Sequence, residues 1–396
     1  MKQRKHRARF LNWAFPKGTD SMTIALLYGG QSGEHEVSLI SAAAVARNLD
    51  RKHTIELIGI SKEGRWYLQD TTELFHITHD RAASLRIRET EDTLVSVTPG
   101  GGMASFSCNG EPFYVDVVFP VLHGTYGEDG TVQGLLDMAG IPYIGCPTLS
   151  SALTMDKEKT KAIWEHAGLP VVPYVCMTRT AFSDEAARDA LIAQATDTFG
   201  FPLFVKPCAA GSSDGAQKVA TRAELAGALE EAFRWDNKVL IEKAIPAREL
   251  ECAVLGNAVT GAARCSTTAV RVFGPGEITP THEFYDYDAK YTDPNGATLT
   301  VPAAIPDDMR AHIRTLAHRA YRAVDAAGLA RVDFFLDTAD GTLFLNEINA
   351  LPGFTHISMF PKLCAAEGLS FTALTTVLIE EAIEQYKAKT ALTTSR

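Results

Sequence analysis

The chain has 396 residues, 46% of them hydrophobic and 22% charged, the balance of a globular protein with two or three domains. Its formal net charge of −10 argues against a nucleic-acid partner. The charge is also uneven: residues 1–20 hold six Lys/Arg and one Asp, which leaves 32 basic and 47 acidic residues, or −15, for the rest. No apolar run approaches bilayer length, and the seven cysteines (108, 146, 176, 208, 252, 265 and 364) form no CxxC pair; this excludes a membrane partner and gives no sign of a zinc site or disulfide framework, so a cytoplasmic location is expected.

Residues 1–21 form a basic leader, expected to be disordered, that lacks the apolar core of a signal peptide; Met22 is a plausible start. A strand is expected at 23–28, running into Gly29-Gly-Gln-Ser-Gly33, followed by a helix through 37–49 and a strand at 54–60, together a parallel βαβ unit. Glycine after a strand can admit a phosphate, but the GxGxxG fingerprint is absent, so a nicotinamide site is only weakly signalled. Glu34, beside His35, Glu36 and Ser38 at the helix start, either caps the helix or receives a substrate ammonium group. A second strand at 115–122 ends in a loop from His123 to Gly130, at the strand end where open α/β sheets hold ligands. There His123 either contacts a substrate or orients the loop. A helix at 131–139 and the segment Pro142-Tyr-Ile-Gly145 close a first domain near residue 150.

The middle segment opens with a helix at 151–161 that carries lysines on several faces, most of them expected in solvent. Residues 201–207 form a short apolar strand with one lysine, Lys206, followed by the small-residue loop Cys208-Ala-Ala-Gly211-Ser-Ser-Asp-Gly215. Such a loop turns backbone N–H groups toward phosphate oxygens, and Lys206 adds a point charge, although the Walker pattern is missing. A strand from Lys238 to Pro246 is expected to offer a backbone edge to adenine, with Glu249 available to a ribose.

Near the C-terminal end, Arg331-Val-Asp333-Phe-Phe-Leu and Leu343-Phe-Leu-Asn-Glu347-Ile-Asn349 read as two apolar strands joined by a hairpin through Asp340-Gly341. Period-two alternation places Arg331 and Asp333 on one face, with Glu347 and Asn349 opposite them. Two carboxylates and an amide suit a hard divalent cation, with coordination positions left for water and phosphate. Acidic residues set among Phe, Leu and Ile are costly unless they serve such a partner.

Taken in order, these blocks resemble the D-alanine:D-alanine ligases of the ATP-grasp superfamily from Met22 to about residue 385. The most specific are Gly29 to Ser38, Leu122-His-Gly with Gly127-Glu-Asp-Gly130, Met155-Asp-Lys157, Val205-Lys-Pro207 with Gly211-Ser-Ser213, Leu240-Ile-Glu-Lys243, Phe284 to Tyr291, and Asn346-Glu-Ile-Asn349 with Pro352-Gly-Phe-Thr355. The resemblance implies an α/β fold of three domains. An N-terminal parallel-sheet, Rossmann-like substrate-binding domain at 22–150 would precede two ATP-grasp domains, a central one at 151–246 and a C-terminal one with the metal site at 247–390.

It also implies roles for individual residues. Lys157, Lys206 and Lys290 would meet phosphates together with Ser212 and Ser213; Glu242, Lys243 and Ile245 would lie at adenine and Glu249 at ribose. Asp333, Glu347 and Asn349 would hold two magnesium ions, with manganese as an alternative. Glu34 would take the ammonium of the first of two D-alanines, with His123 nearby, and Ser358 with the adjacent backbone of Met359 would hold the carboxylate of the second. Tyr291 would hydrogen-bond with Ser212 and Glu34 and tie a mobile loop at 280–300 over the site, and Arg331 would stabilise the tetrahedral oxyanion. A homodimer through the first domain is implied as well.

The activity implied is ATP-dependent formation of D-alanyl-D-alanine through a D-alanyl phosphate, for peptidoglycan precursor synthesis. The phenol at position 291 favours D-alanine over D-lactate as second substrate, while a ligase that accepts D-serine or D-lactate stays as the alternative, with residues 355–359 also relevant. A nucleotide-binding oxidoreductase built on the Gly29–Gly33 turn is the reading from another class. Asp214 in the Gly-Ser-Ser-x-Gly loop and Ala350-Leu351 after Asn349 depart from the family pattern.

Overall fold

The computed structural model describes residues 21–80, 82–259, 270–280 and 296–393. The first sheet has the order β3-β2-β1-β7, where β1 is Thr23–Gly29, β2 Thr54–Ile60, β3 Trp66–Gln69 and β7 Val117–Val121. β1 runs parallel to both β2 and β7, as the βαβ pattern predicts, and β3 adds an antiparallel edge. A small meander, β4 to β6 (Val95–Val97, Phe106–Cys108 and Glu111–Phe113), lies beside it. Because helices and loops cover both faces, β1 is an unbroken apolar run buried from Ile24 onward. Helix α1 (His35–Asn48) follows the Gly29 turn, where φ is +89° and a Cβ would stand 2.3 Å from the Ile60 carbonyl, so only glycine fits. Helices α2 (Thr72–His79) and α3 (Thr131–Ala139) complete this region.

The expected helix at 151–161 is two helices, α4 (Thr148–Met155) and α5 (Lys157–His166). Asp156 separates them: it is extended, and its carboxylate accepts the N–H groups of Glu158 and Lys159, which makes it the N-cap of α5. The same region corrects the reading of its lysines. Lys159 is exposed, but Lys161 is fully buried.

The second sheet is antiparallel, in the order β10-β9-β11-β8, with β8 Tyr174–Thr178, β9 Leu203–Pro207, β10 Gln217–Val219 and β11 Lys238–Lys243. Helices α6 (Arg179–Ser183), α7 (Glu185–Phe199) and α8 (Arg222–Trp235) accompany it, and Leu225, Leu229 and Phe233 of α8 fill its core with Val205, Val239 and Ile241. β11 pairs with β9 on one side and β8 on the other, so residues 238–243 are not the sheet edge expected from the sequence. An alternating apolar strand reads the same at the centre and at the rim of a sheet, and only the pairing of distant strands distinguishes them.

The third sheet, also antiparallel, has the order β14-β13-β12-β15-β16, with β12 Ala247–Asn257, β13 Arg271–Pro280, β14 Ala297–Thr300, β15 Ala327–Asp337 and β16 Leu343–Asn349. Helix α9 (Asp307–Ala323) packs on it, and Trp164 of α5 shares the same core. The chain then returns to the first sheet through α10 (Met359–Ala366) and α11 (Phe371–Thr390). Phe119 of β7 meets Phe354 edge-on at 5.9 Å, and Tyr386 donates to the Gly140 carbonyl at 2.8 Å. First and third sheets thus share one hydrophobic cluster, which sets their loops around a common cleft. Among the described residues no single helix is long and apolar enough to cross a membrane.

Candidate active site

A cleft of about 660 Å³ lies where the three sheets meet, a volume suited to a small ligand or nucleotide. Every candidate residue named above lines it, except Lys290 and Tyr291, which lie outside the described residues together with most of the expected lid.

The third sheet supplies the acidic wall. In the β15–β16 register Arg331 faces Asn349 and Asp333 faces Glu347, the pairing that the alternation predicts. Arg331 forks onto Asp333, Nε to Oδ1 and Nη2 to Oδ2 at 2.7 Å each, and Asn349 Nδ2 donates to Asp333 Oδ2 at 3.0 Å. Glu251 of β12, opposite Asp333, places its carboxylate 3.1 Å from Arg331 Nε. A register shift between Asp333 and Phe334 leaves Asn346 as the extra residue on β16. Such a bulge re-aims a side chain, and Asn346 Oδ1 accepts from Lys206 Nζ at 3.2 Å. Simple alternation overlooked both Glu251 and Asn346.

The second sheet and α5 supply cations. Lys157 Nζ donates to the Ala210 carbonyl at 2.8 Å and lies 3.4 Å from Glu347 Oε2. Lys206 reaches Glu242 Oε2 at 2.8 Å, and the other oxygen of Glu242 lies 2.7 Å from the buried Lys161 ammonium. That second contact is carried by charge, because Glu242 Oε1 lacks hydrogen-bond geometry. Burial pushes the Glu242 carboxyl up, but Lys161 and Lys206 outweigh it and hold it below its usual range; burial pulls the Lys161 ammonium down. Sequence reading missed Lys161, although its place four residues after Lys157 puts both lysines on one face of α5.

The first sheet supplies two carboxylates, Glu34 after β1 and Glu128 in the loop after β7. Glu34 occupies the N-cap of α1 without a side-chain cap bond, and its carboxylate accepts from the Ser212 hydroxyl. Two glycines make room for it: a Cβ on Gly211 would stand 2.7 Å, and one on Gly124 2.8 Å, from Glu34 Oε2. Ser212 and Ser213 adopt φ of +48° and +66°, a strained backbone of the kind found at ligand-binding loops. His123 is buried, with Nδ1 3.2 Å from the Leu351 carbonyl and Nε2 3.1 Å from Ser41 Oγ. Burial lowers its pKa, yet the Glu128 and Glu34 carboxylates prevail and leave it raised.

Ser358, also in the cleft lining, sits at the N-cap of α10, its Oγ accepting from the Thr355 N–H at 3.0 Å, with Met359 next in the chain. Lys243 at the end of β11, Ile245 between β11 and β12, and Glu249 on β12 also line the cleft; the Lys243 N–H donates to the Pro173 carbonyl at 3.1 Å.

Comparison with known families decides the assignment. Residues 23–146 match the family model described as D-ala D-ala ligase N-terminus, and residues 163–380 match D-ala D-ala ligase C-terminus. The chain belongs to the D-alanine:D-alanine ligase family.

Its relatives in that family cover it almost end to end. The D-alanine--D-alanine ligase of Treponema denticola is 50% identical over 376 residues, 95% of this chain and all of that protein. The D-alanine--D-alanine ligase A of Chromobacterium violaceum is 44% identical over 376 residues, 94% of this chain and 98% of that one. Among solved structures, the D-alanine-D-alanine ligase from Coxiella burnetii superposes with a TM-score of 0.77 at 33% identity, covering 94% of this chain and 97% of that one. The VanG D-Ala:D-Ser ligase from Enterococcus faecalis gives 0.75 at 36%, covering 92% of this chain and all of that one. The expected ATP-grasp ligase fold therefore holds, and the oxidoreductase reading is set aside.

Proposed function

We propose that this ligase joins two D-alanines to D-alanyl-D-alanine with conversion of ATP to ADP and phosphate, in the cytoplasm, for peptidoglycan precursor synthesis. The observation that carries the reading is the convergence in one cleft of an oxygen-ligand wall, a cationic wall and the Glu34 carboxylate, contributed from three different sheets. The domain limits 22–150, 151–246 and 247–390 follow that division.

Asp333, Glu347 and Asn349 fit a magnesium or manganese site, since two carboxylates and an amide oxygen stand on facing strands beside cleft lysines. Two bound cations would supply charge neutralisation across the phosphates. Lys157, Lys206 and Lys290, with Ser212 and Ser213, hold the triphosphate, while Lys243, Ile245, Glu242 and Glu249 hold adenine and ribose. Glu34 binds the ammonium of the first D-alanine, with His123 behind it, and so presents the carboxylate of that substrate to the γ-phosphate.

Phosphoryl transfer to that carboxylate oxygen gives an acyl phosphate and ADP. The second amino acid, held by its carboxylate at Ser358 and Met359 on the N-terminus of α10, then attacks the acyl carbon through its amine and loses a proton as phosphate departs. Arg331 donates to the oxyanion that forms on the way. Tyr291, with Ser212 and Glu34, closes the site against water. A homodimer through the first domain is part of the same proposal.

The 36% identity to a D-Ala:D-Ser ligase keeps D-serine as a second acceptor to be weighed. The test is ADP release with Mg-ATP and D-alanine, L-alanine, D-serine, D-alanine plus D-serine, or D-alanine plus D-lactate, each product identified by mass. ADP release that needs only D-alanine and yields its dipeptide is expected. A mixed D-alanyl-D-serine product in preference would move the reading to the second acceptor, and no release with any of them would overturn both.

A further inference from the structure

Lys161 has no role in the reading just given, yet it is the fully buried member of a three-residue chain that ends in the nucleotide cleft. Its ammonium lies 2.7 Å from Glu242 Oε1, Glu242 Oε2 lies 2.8 Å from Lys206, and Lys206 reaches Asn346 Oδ1 at 3.2 Å. The far side of Lys161 is closed by the Val172 carbonyl at 3.3 Å and by the Tyr174 ring, 5.6 Å away. Replacing a buried ion pair with apolar side chains is commonly neutral or stabilising, so packing alone gives no reason for a lysine here.

We propose that Lys161 is a positioning residue for nucleotide binding: it neutralises Glu242 from the protein interior, so that Glu242 orients Lys206 without cancelling its charge. The three groups then carry one net positive charge, presented by Lys206 to the phosphates. Without Lys161 the same carboxylate and Lys206 sum to zero. The inference rests on the proposed nucleotide site and deepens it.

The test is the ratio of ADP affinity to adenosine affinity, measured by titration calorimetry and competition on the full chain, because only ADP carries phosphate. Lys161→Met should weaken ADP about tenfold or more while adenosine changes little. The double variant Lys161→Met with Glu242→Gln restores the net positive charge and should bring the ratio back to within about threefold of the unmodified protein. An unchanged ratio in Lys161→Met, an equal loss of adenosine, or no recovery in the double variant would overturn the proposal. If Lys161→Met does not fold, Glu242→Gln is compared with the double variant: a higher ratio in Glu242→Gln supports the charge rule, and equal ratios overturn it. Failure of the unmodified protein to bind ADP would instead remove the nucleotide site itself.

Discussion

Arg331 and Asp333, two residues apart on β15, hold each other through two parallel hydrogen bonds of 2.7 Å, while Glu251 approaches the same guanidinium at 3.1 Å from β12. Arg331 is therefore anchored twice. Asp333 sets the orientation of the fork, and Glu251 adds a second negative charge beside it. Lysine cannot reproduce that geometry. Arg331→Lys is expected to lower kcat about 10²- to 10³-fold with the fold retained, as steady-state kinetics beside a thermal melt would show. Near-normal turnover would remove Arg331 from the oxyanion role.

Glu347 lies opposite Asp333 and 3.4 Å from Lys157. Glu347→Gln keeps the shape and removes one ligand charge, so most turnover should disappear while the circular-dichroism spectrum stays the same. Full activity at saturating magnesium would count against this residue as a metal ligand.

Glu34 accepts from Ser212 inside a pocket cleared by Gly124 and Gly211. Glu34→Gln should raise the KM for D-alanine at the first site by about tenfold or more and leave the KM for ATP close to its original value. Loss of ATP binding instead would point to collapse of the Gly211–Ser213 loop.

Glu381 on α11 is buried, and its Oε1 has no hydrogen-bond partner among the described residues. Burial, with Glu384 and Glu380 nearby, raises its pKa from 4.5 to about 7. The folded state thus holds the proton more tightly than the unfolded chain. Its contribution is fully present below pH 4.5, declines as pH rises toward 7 and is lost above that. Glu381→Gln should therefore raise Tm at pH 8 by several degrees and change little at pH 4.5, as calorimetry at the two pH values would show. An equal shift at both would mean that the charge is not the cause.

Much of the site was legible along the chain because its chemistry is carried by local patterns. A two-residue period placed Arg331, Asp333, Glu347 and Asn349 face to face, and the β15–β16 register repeats that arrangement. A lysine inside an apolar strand before a small-residue loop marked Lys206, which lines the cleft together with Ser212 of that loop. Glu34 and His123 were left with two readings each, since a helix start or a loop does not reveal what stands opposite it. Their partners, Ser212 and the Leu351 carbonyl, come from 178 and 228 residues away.

The sequence by itself determined the elements, their alternation and the residue types available for chemistry, because side-chain periodicity and turn residues act over a few positions. Tertiary structure alone decided three things. It made β11 an interior strand, because order in an antiparallel sheet depends on which distant strands pair. It buried Lys161, because a helix carries no record of what packs over each face. And it turned Asn346 toward Lys206, because a one-residue slip between β15 and β16 breaks the alternation on which its expected direction depends.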